Sequence, residues 1–130
     1  MSVGAAARSL AIDALVRVEA GAYSNLILGD LLDRSGLSRR DRALVTDLVY
    51  GTLRAQGRVD HLLARVSNRP LERLDPPVRA ALRTGAYQLL GGVAPHAATS
   101  ATVGALGGTA ARARPFVNAV LRKTAALGPP

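Results

Sequence analysis

An all-α fold is predicted for this chain by three features of its 130 residues. Apolar residues recur three and four positions apart, and no stretch alternates with the period of two of a half-buried strand. Gly and Pro punctuate the chain at helix-length intervals. Phe, Trp and Tyr make up only 3%, so a core must be built from Leu, Val and Ala, which pack readily between helices. With 48% hydrophobic and 20% charged residues the composition is that of a folded protein, and the length suits one domain. Seven helices are expected.

The first should run from about Ala5 to Glu19, with Ala11, Leu15 and Val18 on one face and Ile12 and Val16 beside them. Gly21 stops it. Ser24 can cap a second helix over Asn25–Arg34, with Leu28, Leu31 and Leu32 inward, until Ser35-Gly36 breaks it. Ser38 opens the third, and Asp41 three residues on gives a variant of the capping box. Leu44, Val45, Leu48, Val49, Thr52 and Leu53 form its stripe, and Gly57 is expected to interrupt it before a shorter helix from Arg58 to Val66. Ser67–Leu71 reads as a loop, because Pro70 keeps the preceding residue out of the helical region.

The fifth helix is the clearest. Asp75 stands at its cap, and the prolines after it remove N–H groups that would have no partner. Val78, Ala81, Leu82, Gly85, Ala86, Leu89 and Leu90 line one face. Gly85 and Ala86 are small in mid-stripe, which predicts a close helix crossing. Arg79, Arg83 and Tyr87 share the other face, where no acid follows, so two mildly repelling cations are expected. Gly91-Gly92 ends this helix. Pro95 begins a weaker one to about Leu106, and Gly107-Gly108 ends that. The last starts near Pro115 and turns Phe116, Val117, Val120, Leu121 and Thr124 to one side.

Much chemistry is absent. The chain has no cysteine, hence no disulfide, thiolate metal site or cysteine nucleophile. No apolar run reaches the ~20 residues of a membrane helix, and Met1–Leu10 lack a signal-peptide core, so a cytoplasmic location is expected. His61 and His96 are isolated, which argues against a metal site. There is no GxSxG, phosphate loop or dinucleotide fingerprint, and the scattered carboxylates form no acid–base pair. No catalytic, cofactor-binding or metal-binding residue is assigned.

Charge is the positive clue. Seventeen cations, sixteen of them Arg, face nine acids, giving +8. The excess is graded: residues 1–33 carry −2, residues 34–75 carry +4, and residues 76–130 carry +6 with no acid at all. Such a field suits a polyanion, above all nucleic acid.

Several stretches together are specific. They are Tyr23-Ser24, Leu48-Val49-Tyr50-Gly51-Thr52-Leu53-Arg54, Leu82–Leu90, Val93-Ala94-Pro95-His96-Ala97-Ala98 and Phe116–Lys123. In this order and spacing the chain resembles the NusB-like N-terminal domain of the RsmB (Sun or Fmu) family, bacterial small-subunit ribosomal RNA cytosine-5 methyltransferases. The resemblance implies a NusB-like bundle in two packed subdomains over residues 1–127. It implies that residues 128–130 begin a linker to a methyltransferase domain that uses S-adenosylmethionine and two cysteines. The implied partners are 16S ribosomal RNA and that domain, with no membrane and no metal. One departure is clear: Thr99–Gly107 lacks the Val-Asn-Glu run and the further Glu and Lys usual there, and the two glycines in it predict a short or frayed helix.

Two other readings compete. A free-standing NusB antitermination factor shares the fold, although Gln88, Ala119 and Arg122 stand where NusB usually has other residues. An interdomain docking module with little RNA affinity is the other. Scarce aromatics argue against base stacking and for phosphate recognition by Arg. Arg39, Arg40 and Arg42 cluster at a helix start and are the first candidates for RNA contact. Arg54 and Arg58, Arg8 on the first helix, and Arg122 with Lys123 on the last complete the set.

Overall fold

A computed structural model describes residues 4–127. Residues 128–130, expected to begin a linker, lie outside the described residues. The helices are α1 (Ala5–Glu19), α2 (Ser24–Ser35), α3 (Arg39–Arg54), α4 (Gln56–Val66), α5 (Pro76–Leu90), α6 (Pro95–Gly104) and α7 (Arg114–Ala126). Short 3-10 segments at Leu71–Arg73 and Gly108–Ala113 precede α5 and α7. No strand occurs among the described residues.

The helices α1, α2 and α3 pack on one another, and α4 to α7 form a second group. Helix α5 joins the two, touching α1, α3, α4, α6 and α7. It can do so because its inward side chains are small: Ala80, Ala81, Thr84, Gly85 and Ala86 are all buried. The expected close crossing is at Gly85. A Cβ there would lie 2.6 and 2.8 Å from the Leu121 methyls, and Leu121 of α7 is fully buried. Leu48, Leu63, Leu82, Leu106 and Leu121 are the largest fully buried side chains.

A polar seam crosses this core. Thr52 Oγ1 of α3 donates to Thr84 Oγ1 of α5 at 3.3 Å. Gln88 Nε2 donates to the Thr84 carbonyl and to Thr102 Oγ1 of α6, both at 3.0 Å. Buried polar groups are tolerable when bonded, and none among the described side chains is left without a partner.

Several boundaries differ from expectation. The break between α3 and α4 falls at Ala55, not Gly57, which lies inside the first turn of α4. Near a helix end glycine is tolerated, because few intrahelical bonds depend on it. Ser24 is the first residue of α2 rather than its cap. Asp75 occupies the cap of α5 but bonds no N–H through its side chain; Pro76 and Pro77 have already removed two donors. Helix α6 is ten residues long and ends at Gly104, short as its composition predicts. The 3-10 segment Gly108–Ala113 lacks a periodic apolar signal and was not foreseen.

Candidate nucleic-acid interface

The start of α3 is held by Ser38, whose Oγ accepts from the Asp41 N–H at 3.2 Å. Arg39 and Arg40 follow it, both exposed and without an acidic partner among the described residues. They stand at the positive end of a helix dipole, where free N–H groups also face outward. Arg42 does not join them. Its Nη1 donates to the Leu32 carbonyl at 2.8 Å, its Nη2 lies 4.0 Å from Asp33, and so it ties α3 to α2. At the other end of α3, Arg54 and Arg58 are exposed on either side of the Ala55 break. Arg58, His61 and Arg65 are three and four residues apart and all exposed, so they continue the row along α4. Arg65 was missed from the sequence, although this spacing could have found it.

Arg8 is turned inward. Its Nε donates to Gln88 Oε1 at 2.9 Å and its Nη1 to the Gly4 carbonyl at 3.4 Å, and burial lowers its pKa. It thus braces α1 against the polar seam of α5. Arg122 and Lys123 are exposed on α7. The candidates therefore divide: Arg39 with Arg40, Arg54 with Arg58, and Arg122 with Lys123 present cations to solvent, whereas Arg8 and Arg42 are engaged by the fold.

Arg79 and Arg83 correct the sequence expectation most sharply. They do not stand as unpartnered, repelling cations. Arg79 makes a bidentate pair with Glu19 at the end of α1, and its Nη1 donates to the Leu71 and Leu74 carbonyls at 3.1 and 2.5 Å. Arg83 bonds both oxygens of Asp60 on α4 at 2.8 and 3.0 Å and reaches Glu19 at 2.9 Å. Hydrogen bonding from Arg79, opposed by burial and helped by Arg83, holds the Glu19 carboxyl below the usual carboxylate range. The same bond raises the Arg79 guanidinium, which stays charged. A cleft of about 740 Å³ opens beside this network, lined by both signs of charge. At its edge Arg69 lies 4.8 Å over the centre of the Phe116 ring.

Tyr87, on the same side of α5, donates to Asp47 Oδ1 of α3 at 2.8 Å. That bond, then burial, raises its phenol above the ordinary value. Asn118 is half-buried and lines an open groove between α6 and α7.

Part of the acidic complement is engaged by the fold, together with the arginines it pairs with. Asp13, Asp30, Glu19 and Asp60 pair with arginine, and Asp47 with Tyr87. With seventeen cations against nine acids, cations without an acidic partner remain exposed, Arg39, Arg40, Arg54 and Arg58 among them. Among the described residues no group of three or more His, Asp or Glu could hold a metal ion. Among these described residues no helix is long and apolar enough to cross a membrane.

Residues 5–126 match the NusB family. The chain belongs to that family. Over 122 residues it is 44% identical to the Ribosomal RNA small subunit methyltransferase B of Thermus thermophilus, covering 91% of this chain and 29% of the relative. It is 40% identical to the enzyme of that name from Pseudomonas putida over 119 residues, 89% of this chain and 27% of the relative. The chain thus spans under a third of the length of these relatives. T. maritima NusB superposes with a TM-score of 0.82, covering 100% of this chain and 95% of its own, at 20% identity. That likeness shows the NusB fold in the α1–α7 bundle. The reading as a free-standing antitermination factor is not favoured, since the relatives of high identity are methyltransferases.

Proposed function

We propose that this NusB-family chain is the RNA-binding N-terminal domain of a small-subunit ribosomal RNA cytosine-5 methyltransferase. The observation that carries this reading is the 44% identity to Ribosomal RNA small subunit methyltransferase B across nearly the whole chain. The +8 charge and the exposed arginines support it. In this reading Arg39 and Arg40, with Arg54 and Arg58, grip phosphate oxygens of 16S ribosomal RNA, each guanidinium offering a planar pair of donors. The domain orients the RNA for a catalytic domain that carries the S-adenosylmethionine site and the catalytic cysteines, in the bacterial cytoplasm. Arg8 and Arg42 contribute by fixing α1 and the start of α3 rather than by touching RNA.

The test is filter binding of a 16S ribosomal RNA fragment over a salt series. With four or five phosphate contacts, log affinity should fall against log salt with a slope of about −3 to −5. Replacing Arg39 and Arg40 by Ala should flatten that slope by about one to two units and leave the fold intact. Negligible affinity at low salt would favour the docking-module reading instead.

A further inference from the structure

Helices α6 and α7 enclose a groove of about 860 Å³. Helix α7 starts beside the end of α6: Arg114 Nε and Nη2 donate to the Leu106 carbonyl at 2.8 and 2.5 Å. A weaker contact from Nη2 to the Gly104 carbonyl, at 3.4 Å, extends this cap. One guanidinium thereby covers the negative end of the α6 dipole. The groove runs on to Pro95 and His96, at the opposite, positive end of α6.

Its lining is uniform in sign. Among the described residues Arg122 and Arg114 are the only charged side chains lining it, and no Asp or Glu follows Asp75 in the chain. His96, Ser100 and Asn118 add further hydrogen-bonding groups, while Val103, Ala125 and Ala126 contribute apolar lining. Arg114 and Arg122 are eight residues apart on one helix, a separation of ~12 Å.

Resting on the reading that this domain binds RNA, we propose that the α6–α7 groove seats a short single-stranded stretch of RNA. Charge complementarity selects a polyanion. Shape selects a single strand: neighbouring helices lie only ~8–10 Å apart, so the trough between them is too narrow for a duplex. Among the described residues no Phe, Tyr or Trp lines the groove and His96 at its end is the one ring available for stacking, so most of the contact is to phosphate and ribose. Phosphates lie against Arg122 and the start of α6, with Arg114 contributing its charge from the far end. Ribose hydroxyls face Ser100 and Asn118, and the sugar faces rest on Ala125 and Val103.

The experiment is an NMR titration of the isotope-labelled chain with a ten-nucleotide oligouridylate at low salt. An RNA hairpin is the comparison, and the Arg122→Glu, Arg122→Ala and Ser100→Trp variants are run alongside. All three substitutions are at solvent-accessible positions, and one-dimensional spectra check their folding. Oligouridylate should shift the amides of His96, Ser100, Gly104, Asn118 and Arg122. Arg122→Glu should weaken it by about tenfold or more. Arg122→Ala should reduce the salt slope by about 0.7, the single-strand value for one phosphate contact. Ser100→Trp should block the oligomer while leaving hairpin binding in place. Shifts confined to the start of α3, with α6 and α7 silent, overturn the groove and leave the RNA-binding reading standing. Failure to bind either RNA overturns that reading itself. Shifts at these amides only when the methyltransferase region is attached, without RNA, make the groove a protein-docking surface and also overturn the proposal.

Discussion

Glu19 closes α1 and accepts hydrogen bonds from two arginines of α5 that are nearly buried, with side-chain exposures of 12% and 15%. Its own side chain is 36% exposed, so solvent screens part of the attraction. Since its folded pKa is depressed, the stabilisation is fully present above the unfolded carboxylate value. It is lost as pH falls through the lower folded value. Glu19→Gln should therefore cost about 1 kcal/mol at neutral pH, after discounting a charged hydrogen bond for exposure. The gap from wild type should close in acid. Thermal melts of both proteins from pH 7 down to pH 2 check this; a constant gap would mean that shape rather than charge sets the contribution of Glu19.

Along the helices, glycine position decides the sign of substitution. At Gly85 any side chain meets buried Leu121, so Gly85→Leu forces α5 from α7, an overpacking that typically costs ~1–3 kcal/mol. At Gly51 a Cβ would run into the Tyr87 ring, so Gly51→Ala should also disturb the Tyr87–Asp47 bond. Gly29, inside α2, has nothing within 4 Å of such an added atom and an ordinary helical backbone. Gly29→Ala should accordingly stabilise by ~0.4–1 kcal/mol through a less flexible unfolded chain. Chemical denaturation of the two variants, Gly85→Leu and Gly29→Ala, should move the midpoint in opposite directions. The stripe around Gly85 was legible in the sequence because a helix face repeats every three to four residues. The openness around Gly29 was not, because that depends on which neighbour faces it.

At the scale of the whole chain, the proposed reading gives this domain recognition without catalysis. No cysteine is present and no nucleotide-binding loop interrupts the bundle. Titration calorimetry of this chain with S-adenosylmethionine should give no measurable heat of binding, and no methyl transfer to RNA should follow. A tight cofactor site would remove the assignment of this chain to RNA recognition. The basic character also changes meaning at this level. A net charge counts every cation alike, yet Arg79 and Arg83 are neutralised within the fold and Arg39 and Arg40 are not. A salt-dependence measurement reads only the second kind.

Helix number, the near-boundaries of α1 and α5, and the crossing at Gly85 follow from local periodicity, capping and side-chain size, all of which act between neighbours in sequence. The partners of the arginines do not. Glu19 and Arg79 are 60 residues apart, and Arg8 and Gln88 are 80 apart. Tertiary packing alone brings these pairs together and decides which cations remain exposed. It also opens the α6–α7 groove, because a trough belongs to two helices at once and neither sequence stretch contains it.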